Sequence, residues 1–165
     1  LSKKMNATTL KAKELGSDYV ICMGSDDIMC PELMQEYIKW MVLGYDYIGI
    51  IDLYFYDIVS KKAMYWGGYK ERYRRYVPAG CCRAISKNLM NLWGWKPWNI
   101  GDDDFLDNSM EKKPKGKQKI LSLKKLGMYA LDIKSSTNMT PFALWHNTAF
   151  IDPETIKHKF PYVIK

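Results

Sequence analysis

No stretch of the 165 residues holds eighteen consecutive apolar side chains, so no segment is long enough to cross a bilayer as a helix. The opening Leu1-Ser2-Lys3-Lys4 has neither the apolar stretch of a signal peptide nor an initiator methionine; residues are expected upstream, and a cytoplasmic setting for the chain as given. Cysteine is sparse, at 22, 30, 81 and 82, and no pair has CxxC spacing, which argues against a zinc cluster. Adjacent cysteines rarely bridge each other, so all four are expected to be reduced, mostly buried thiols in a reducing compartment. Internal repeats and clear composition breaks are also missing, which points to one domain over residues 1–165. With 47% hydrophobic and 26% charged residues, the composition excludes a mainly disordered chain.

Basic residues are in excess, giving a net charge of +7 and a preference for anionic partners. The excess is local: Lys112 to Lys125 carries seven lysines and no acid, and the remainder is balanced. That segment reads equally as a solvated loop or as a polyanion-binding patch. Aromatics reach 14%, with six Trp and twelve Tyr; most belong to a core, although flat apolar rings with a polar handle also suit carbohydrate.

Periodicity predicts a helix over 3–15, with Met5, Thr8, Ala12 and Leu15 inward and Gly16 as its stop. Tyr19 to Met23 reads as a strand buried on both faces, ending in the polar turn Gly24-Ser25-Asp26-Asp27. Pro31 opens a second helix whose inner face is Met34, Tyr37, Ile38 and Met41. Tyr47 to Val59 is one long strand or two consecutive ones, Ser60-Lys61-Lys62 a turn, and Ala63 to Trp66 the returning strand. Ala79 to Ile85 is a further strand, Ser86 the cap of a short helix ending at Gly94, and Met128 to Ile133 another strand.

Asp26 and Asp27 fall at the end of a buried strand, where two adjacent carboxylates destabilise the fold unless a cation neutralises them. Mg²⁺ or Mn²⁺ suits such oxygen ligands and also bridges substrate phosphates. The alternative is an Asp-rich turn capping the helix that begins near Pro31. The carboxyl ends of strands in open α/β sheets are where ligands gather.

In this order, the strand at 18–23, Gly24-Ser25-Asp26-Asp27-Ile28 and Pro31-Glu32 resemble the middle of the family-2, A-fold (GT-A) glycosyltransferases. Tyr65-Trp66-Gly67-Gly68-Tyr69, Gly80-Cys81-Cys82-Arg83-Ala84-Ile85-Ser86, the Trp-rich loop from Trp95 to Asp107, and Lys134 with Asn138, Pro141 and Phe142 continue the likeness. The resemblance implies an α/β, Rossmann-like fold: a mixed, partly parallel sheet flanked by helices. It also implies that the three nucleotide-gripping strands normally preceding residue 3 are missing, so the N-terminal sheet edge should be exposed or short.

The activity so implied is an inverting, metal-dependent hexosyl transfer from a nucleotide-sugar donor to a hydroxyl of a carbohydrate acceptor. Asp27 would ligate Mn²⁺ or Mg²⁺, with Asp26 facing the ribose or the metal shell. A carboxylate of the run 102–107 would be the general base, with Asp107 or, in the other register, Asp103 in that role. These acids also read as N-terminal helix charges. His146 could complete the metal shell, or be an ordinary surface or core histidine. Arg83 and Lys134 would neutralise diphosphate, or form ordinary salt bridges. Trp66, Tyr69, Trp95 and Trp98 would stack on acceptor sugar, or pack in the core. No specific nucleic-acid partner is expected on this reading. The rivals are a non-catalytic basic module that binds nucleic acid or another polyanion through the lysine run, and an inactive remnant of the enzyme.

Overall fold

The structure is a computed structural model that describes residues 2–70, 77–98, 116–137 and 147–164. It is a mixed α/β fold with two sheets. In the first, β1 (Tyr19–Cys22) pairs antiparallel with β6 (Arg83–Ser86), β6 antiparallel with β3 (Tyr47–Ile50), and β3 parallel with β7 (Gln118–Leu121). In the second the order is β2 (Asp27–Met29), β8 (Ala130–Lys134), β4 (Leu53–Asp57), β5 (Lys62–Trp66) and β9 (Thr148–Ile151). There β4 and β8 are parallel and the other pairs antiparallel. These pairings make β1, β3 and β7 run in one direction. At their carboxyl ends the chain crosses to the second sheet three times, from β1 to β2, from β3 to β4, and from β7 to β8.

Period-two alternation explains how the first sheet serves two cores. Ile48 and Ala84 join Leu33 and Tyr37 of α2 (Pro31–Val42) and the inner residues of the second sheet. Their neighbours Tyr47 and Ile85 point the other way, to Leu89 and Met90 of α3 (Lys87–Leu92), Trp95 and Trp98. Every residue of β3 and β6 is therefore buried, as expected for central strands covered on both faces. β1 lies at the edge of its sheet and is only partly buried over Tyr19–Ile21, not covered on both faces as the apolar run suggested.

The helices keep part of the expected faces, with Met5 and Ala12 of α1 (Ser2–Glu14) and Tyr37 and Met41 of α2 against the cores, and depart from the rest. α1 leaves Thr8 exposed and buries Asn6 and Thr9. Asn6 Nδ2 donates to the Trp98 carbonyl at 2.7 Å and its Oδ1 accepts from the Trp98 amide at 3.1 Å, while the Thr9 hydroxyl donates to the Trp95 carbonyl at 2.6 Å. These polar groups satisfy the backbone of the Trp95–Trp98 loop, which is why a polar line faces inward. Leu15 lies beyond the helix and is exposed. α2 buries Leu33 and Tyr37, whose hydroxyl donates to the Cys82 carbonyl at 2.6 Å, and turns Ile38 to solvent. The strand expected from Ala79 begins only at Arg83, because Cys82 takes φ of +58°, outside the extended region. The Ser86 cap is as read: its hydroxyl accepts from the Leu89 amide at 3.2 Å. Among the described residues the remaining short helices are α4 (Leu123–Leu126) and α5 (Glu154–Lys157).

Candidate functional site

The acid pair lies where the chain first crosses between the sheets. After β1 the backbone turns at Ser25-Asp26, and Asp27 is the first residue of β2. The Gly24 amide donates to Asp27 Oδ2 at 2.6 Å, and the Ile133 amide donates to the Asp26 carbonyl at 2.8 Å. A Cβ at position 24 would stand 2.5 Å from Asp26 Oδ1 and 3.1 Å from Asp27 Oδ2. The bare Cα there lets both carboxylates lie over the turn; a larger residue would make the Asp26 carboxylate swing aside. The pair does not cap α2, whose N-cap is Cys30 without a side-chain bond. Helix capping is therefore not the reason for two acids at this turn.

Across the β2–β8 ladder, Asp27 is in register with Asp132. Asp132 Oδ2 is paired with Lys134 Nζ at 2.7 Å, and its Oδ1 is buried with no hydrogen-bond partner among the described residues. Burial, foremost, pushes the Asp132 carboxyl up to about 7; Lys134 opposes the shift, and the charges of Asp27 and Asp26 add to it. Asp27 is raised for the same first reason, against which the Gly24 amide, Lys134 and a hydrogen bond from the Cys81 thiol act. Of the residues singled out in the sequence, the structure brings together Asp26, Asp27 and Lys134, and it adds Asp132 and Cys81. The signal for Asp132 was an acid inside the apolar run Tyr129-Ala130-Leu131-Asp132-Ile133, two residues before a lysine.

With all three acids ionised against one ammonium, the crossing point would carry net negative charge, which a divalent cation would neutralise. Among the described residues no three His, Cys, Asp or Glu side chains are placed together as a metal shell. The residues present fit the Mg²⁺ or Mn²⁺ arrangement in which one or two carboxylates hold the ion and waters and substrate phosphates complete it. They do not fit an all-protein cage.

Other sequence candidates lie elsewhere. Arg83 is buried in the first sheet, opposite Cys22, and donates to the carbonyls of Ala79 at 2.7 Å and Pro78 at 3.1 Å. Those bonds make it a brace for the 78–79 loop. Trp66, Trp95 and Trp98 are core residues, 3%, 1% and 5% exposed. Stacking on a sugar requires an open ring face, so the acceptor role assigned to these three is corrected to packing. Tyr69 is half-buried, edge-on to Trp66 at 5.0 Å. Asp103, Asp107 and His146 lie outside the described residues.

Sequence reasoning also passed over Asp52, at the second crossing. It is 2% exposed and accepts from the Tyr65 and Ser122 hydroxyls, each at 2.8 Å, and from the amides of Leu123 and Lys124 at 2.5 and 3.1 Å. Both oxygens are engaged, so Asp52 fastens β3 to the start of α4 and is not a ligand-binding acid.

Comparison with known proteins finds no matching family model, no matching curated protein and no matching solved structure.

Proposed function

We propose that the chain is an inverting glycosyltransferase of the hexosyltransferase type, which moves a sugar from a nucleotide-diphosphate donor to a carbohydrate hydroxyl. One observation carries the reading: Asp26 and Asp27 lie over Gly24 after the carboxyl end of β1, with Asp27 in register with Asp132 and near Lys134. This is the position at which α/β sheets gather ligands. Asp27, with Asp26, would hold Mn²⁺ or Mg²⁺, which when bound supplies neutralisation of the leaving diphosphate. Lys134 holds Asp132 and limits the repulsion between these acids and the donor's phosphates. Asp107, with Asp103 as the other register, takes the proton of the acceptor hydroxyl. Arg83 and the three buried tryptophans act through the fold.

Calorimetry with uridine, guanosine and thymidine diphosphates tests this. Divalent metal should promote binding of at least one of them, and Asp27→Ala should abolish the promotion. The basic-module alternative expects polyanion binding that falls steeply with salt and survives Asp27→Ala.

A further inference from the structure

The outer face of α2 and the neighbouring edge strand β7 form a surface that the acid site does not use. Ile38 and Val42 stand one turn apart on the solvent side of α2, 51% and 81% exposed, and Leu43 follows at 53%. Round the helix from Val42, beyond Lys39 and Leu43, Trp40 and Tyr45 pack edge-on, with ring centroids 4.9 Å apart. Three lysines are held on these rings: Lys119 Nζ at 3.7 Å and Lys39 Nζ at 5.0 Å from the Trp40 centroid, and Lys117 Nζ at 4.3 Å from that of Tyr45. Lys117 Nζ also donates to the Leu43 carbonyl at 3.2 Å, which sets a cation directly beside an exposed leucine. Two acids touch this group: Glu36 accepts from Trp40 Nε1 at 2.6 Å and is paired with Lys39 at 3.5 Å, and Asp46 accepts from the Lys117 amide at 3.0 Å.

We propose that this surface docks on the anionic face of a lipid bilayer. Val42 and Leu43 enter the headgroup boundary, and Lys39 between them, with Lys117 and Lys119 beyond Leu43, meets the lipid phosphates and carboxylates. Trp40 and Tyr45 lie at the level between them. Large apolar side chains set among cations match the two phases of that interface. A nucleic acid would engage the lysines but leave Val42 and Leu43 in water, and a stacked base would find the Trp40 face occupied by Lys119. A symmetric second copy would bring the same three lysines against each other. The docking is peripheral and needs no spanning helix. It is independent of the proposed chemistry at Asp27.

Co-sedimentation of the chain with phosphatidylcholine vesicles, with and without phosphatidylserine, tests the proposal. Binding should require the anionic lipid. Val42→Glu should weaken it by about tenfold or more, from the apolar burial lost. Removing Lys117 or Lys119 should cost about fivefold each. Circular dichroism and thermal midpoint should be unchanged for Val42→Glu, since the side chain is exposed. Four results would overturn the proposal: equal binding to neutral and anionic vesicles; no binding to either; unchanged vesicle binding by Val42→Glu; or duplex DNA bound equally by wild type and Val42→Glu with no vesicle binding. A dimer in sedimentation velocity that Val42→Glu dissociates would assign the face to a second copy instead.

Discussion

Replacing Asp52 by alanine should be among the most costly single substitutions in the chain. The carboxylate joins the end of β3 to the first turn of α4 and to Tyr65 of β5. Its removal leaves the Leu123 amide buried without a partner, and Leu123 is 0% exposed. Such an orphaned donor costs about 1–3 kcal/mol. Loss of the capping contact to the Lys124 amide adds about 1 kcal/mol. The two hydroxyls, Tyr65 and Ser122, also lose their acceptor, although these terms share one carboxylate and do not add in full. A total of about 3–4 kcal/mol follows, in the range of a broken buried network. Urea titration followed by far-UV circular dichroism should show the midpoint falling with little change in slope. The thermal midpoint should fall by roughly 10 °C for a chain of this size. Asp52→Asn keeps the shape but turns an NH₂ group toward donors, so it should recover only part of the loss. A penalty below about 1 kcal/mol for Asp52→Ala would refute the claim that this acid fastens the crossing between the sheets.

Asn6→Ala should cost about 2 kcal/mol and raise amide exchange at Trp98, whose N–H and carbonyl both bond Asn6. Asp132 gives a pH signature in metal-free buffer. Its carboxyl is raised from 3.8 to about 7 in the fold, so the folded chain keeps a proton that the unfolded chain has released. Stability should therefore fall as pH rises from about 4 through 7, by an amount on the order of a few kcal/mol, and Asp132→Asn should flatten that decline in denaturant midpoints taken across the range. A decline that persists in the variant would assign the titration to another group. Asp107→Asn should lower sugar transfer by about 10² to 10⁴-fold with nucleotide affinity nearly intact, measured by turnover and calorimetry on the same preparation. If Asp103→Asn shows that pattern and Asp107→Asn does not, the base is Asp103.

Elements governed by local chemistry were legible from residue order. Pro31 at a helix start and the Ser86 cap stand where they were read, while the turn expected at 60–62 falls at 58–61, with Lys62 already in β5. Features set by partners distant in sequence were not. Met5 and Ala12 of the expected inner line of α1 pack on the core, but the most buried positions are Asn6 and Thr9, set by the loop carbonyls of Trp95 and Trp98. The break between β3 and β4 assigns two consecutive strands to different sheets, and no local pattern over 47–59 announces it. Three members of the acid group, Asp26, Asp27 and Lys134, were readable in the sequence. Asp132 was not, because only the β2–β8 register brings it opposite Asp27. The tryptophans show the limit of composition: core packing and sugar stacking use the same side chain, and burial alone separates them.

Electron paramagnetic resonance of Mn²⁺ tests the central claim most directly. Free aqueous Mn²⁺ is titrated with the wild-type chain and with Asp27→Ala, each in the presence of uridine, guanosine or thymidine diphosphate. The account predicts that wild-type protein with one of these nucleotides depletes the free-ion signal beyond what nucleotide alone removes, and that Asp27→Ala does not. Equal depletion by the two proteins, or none with any of the three nucleotides, would contradict it.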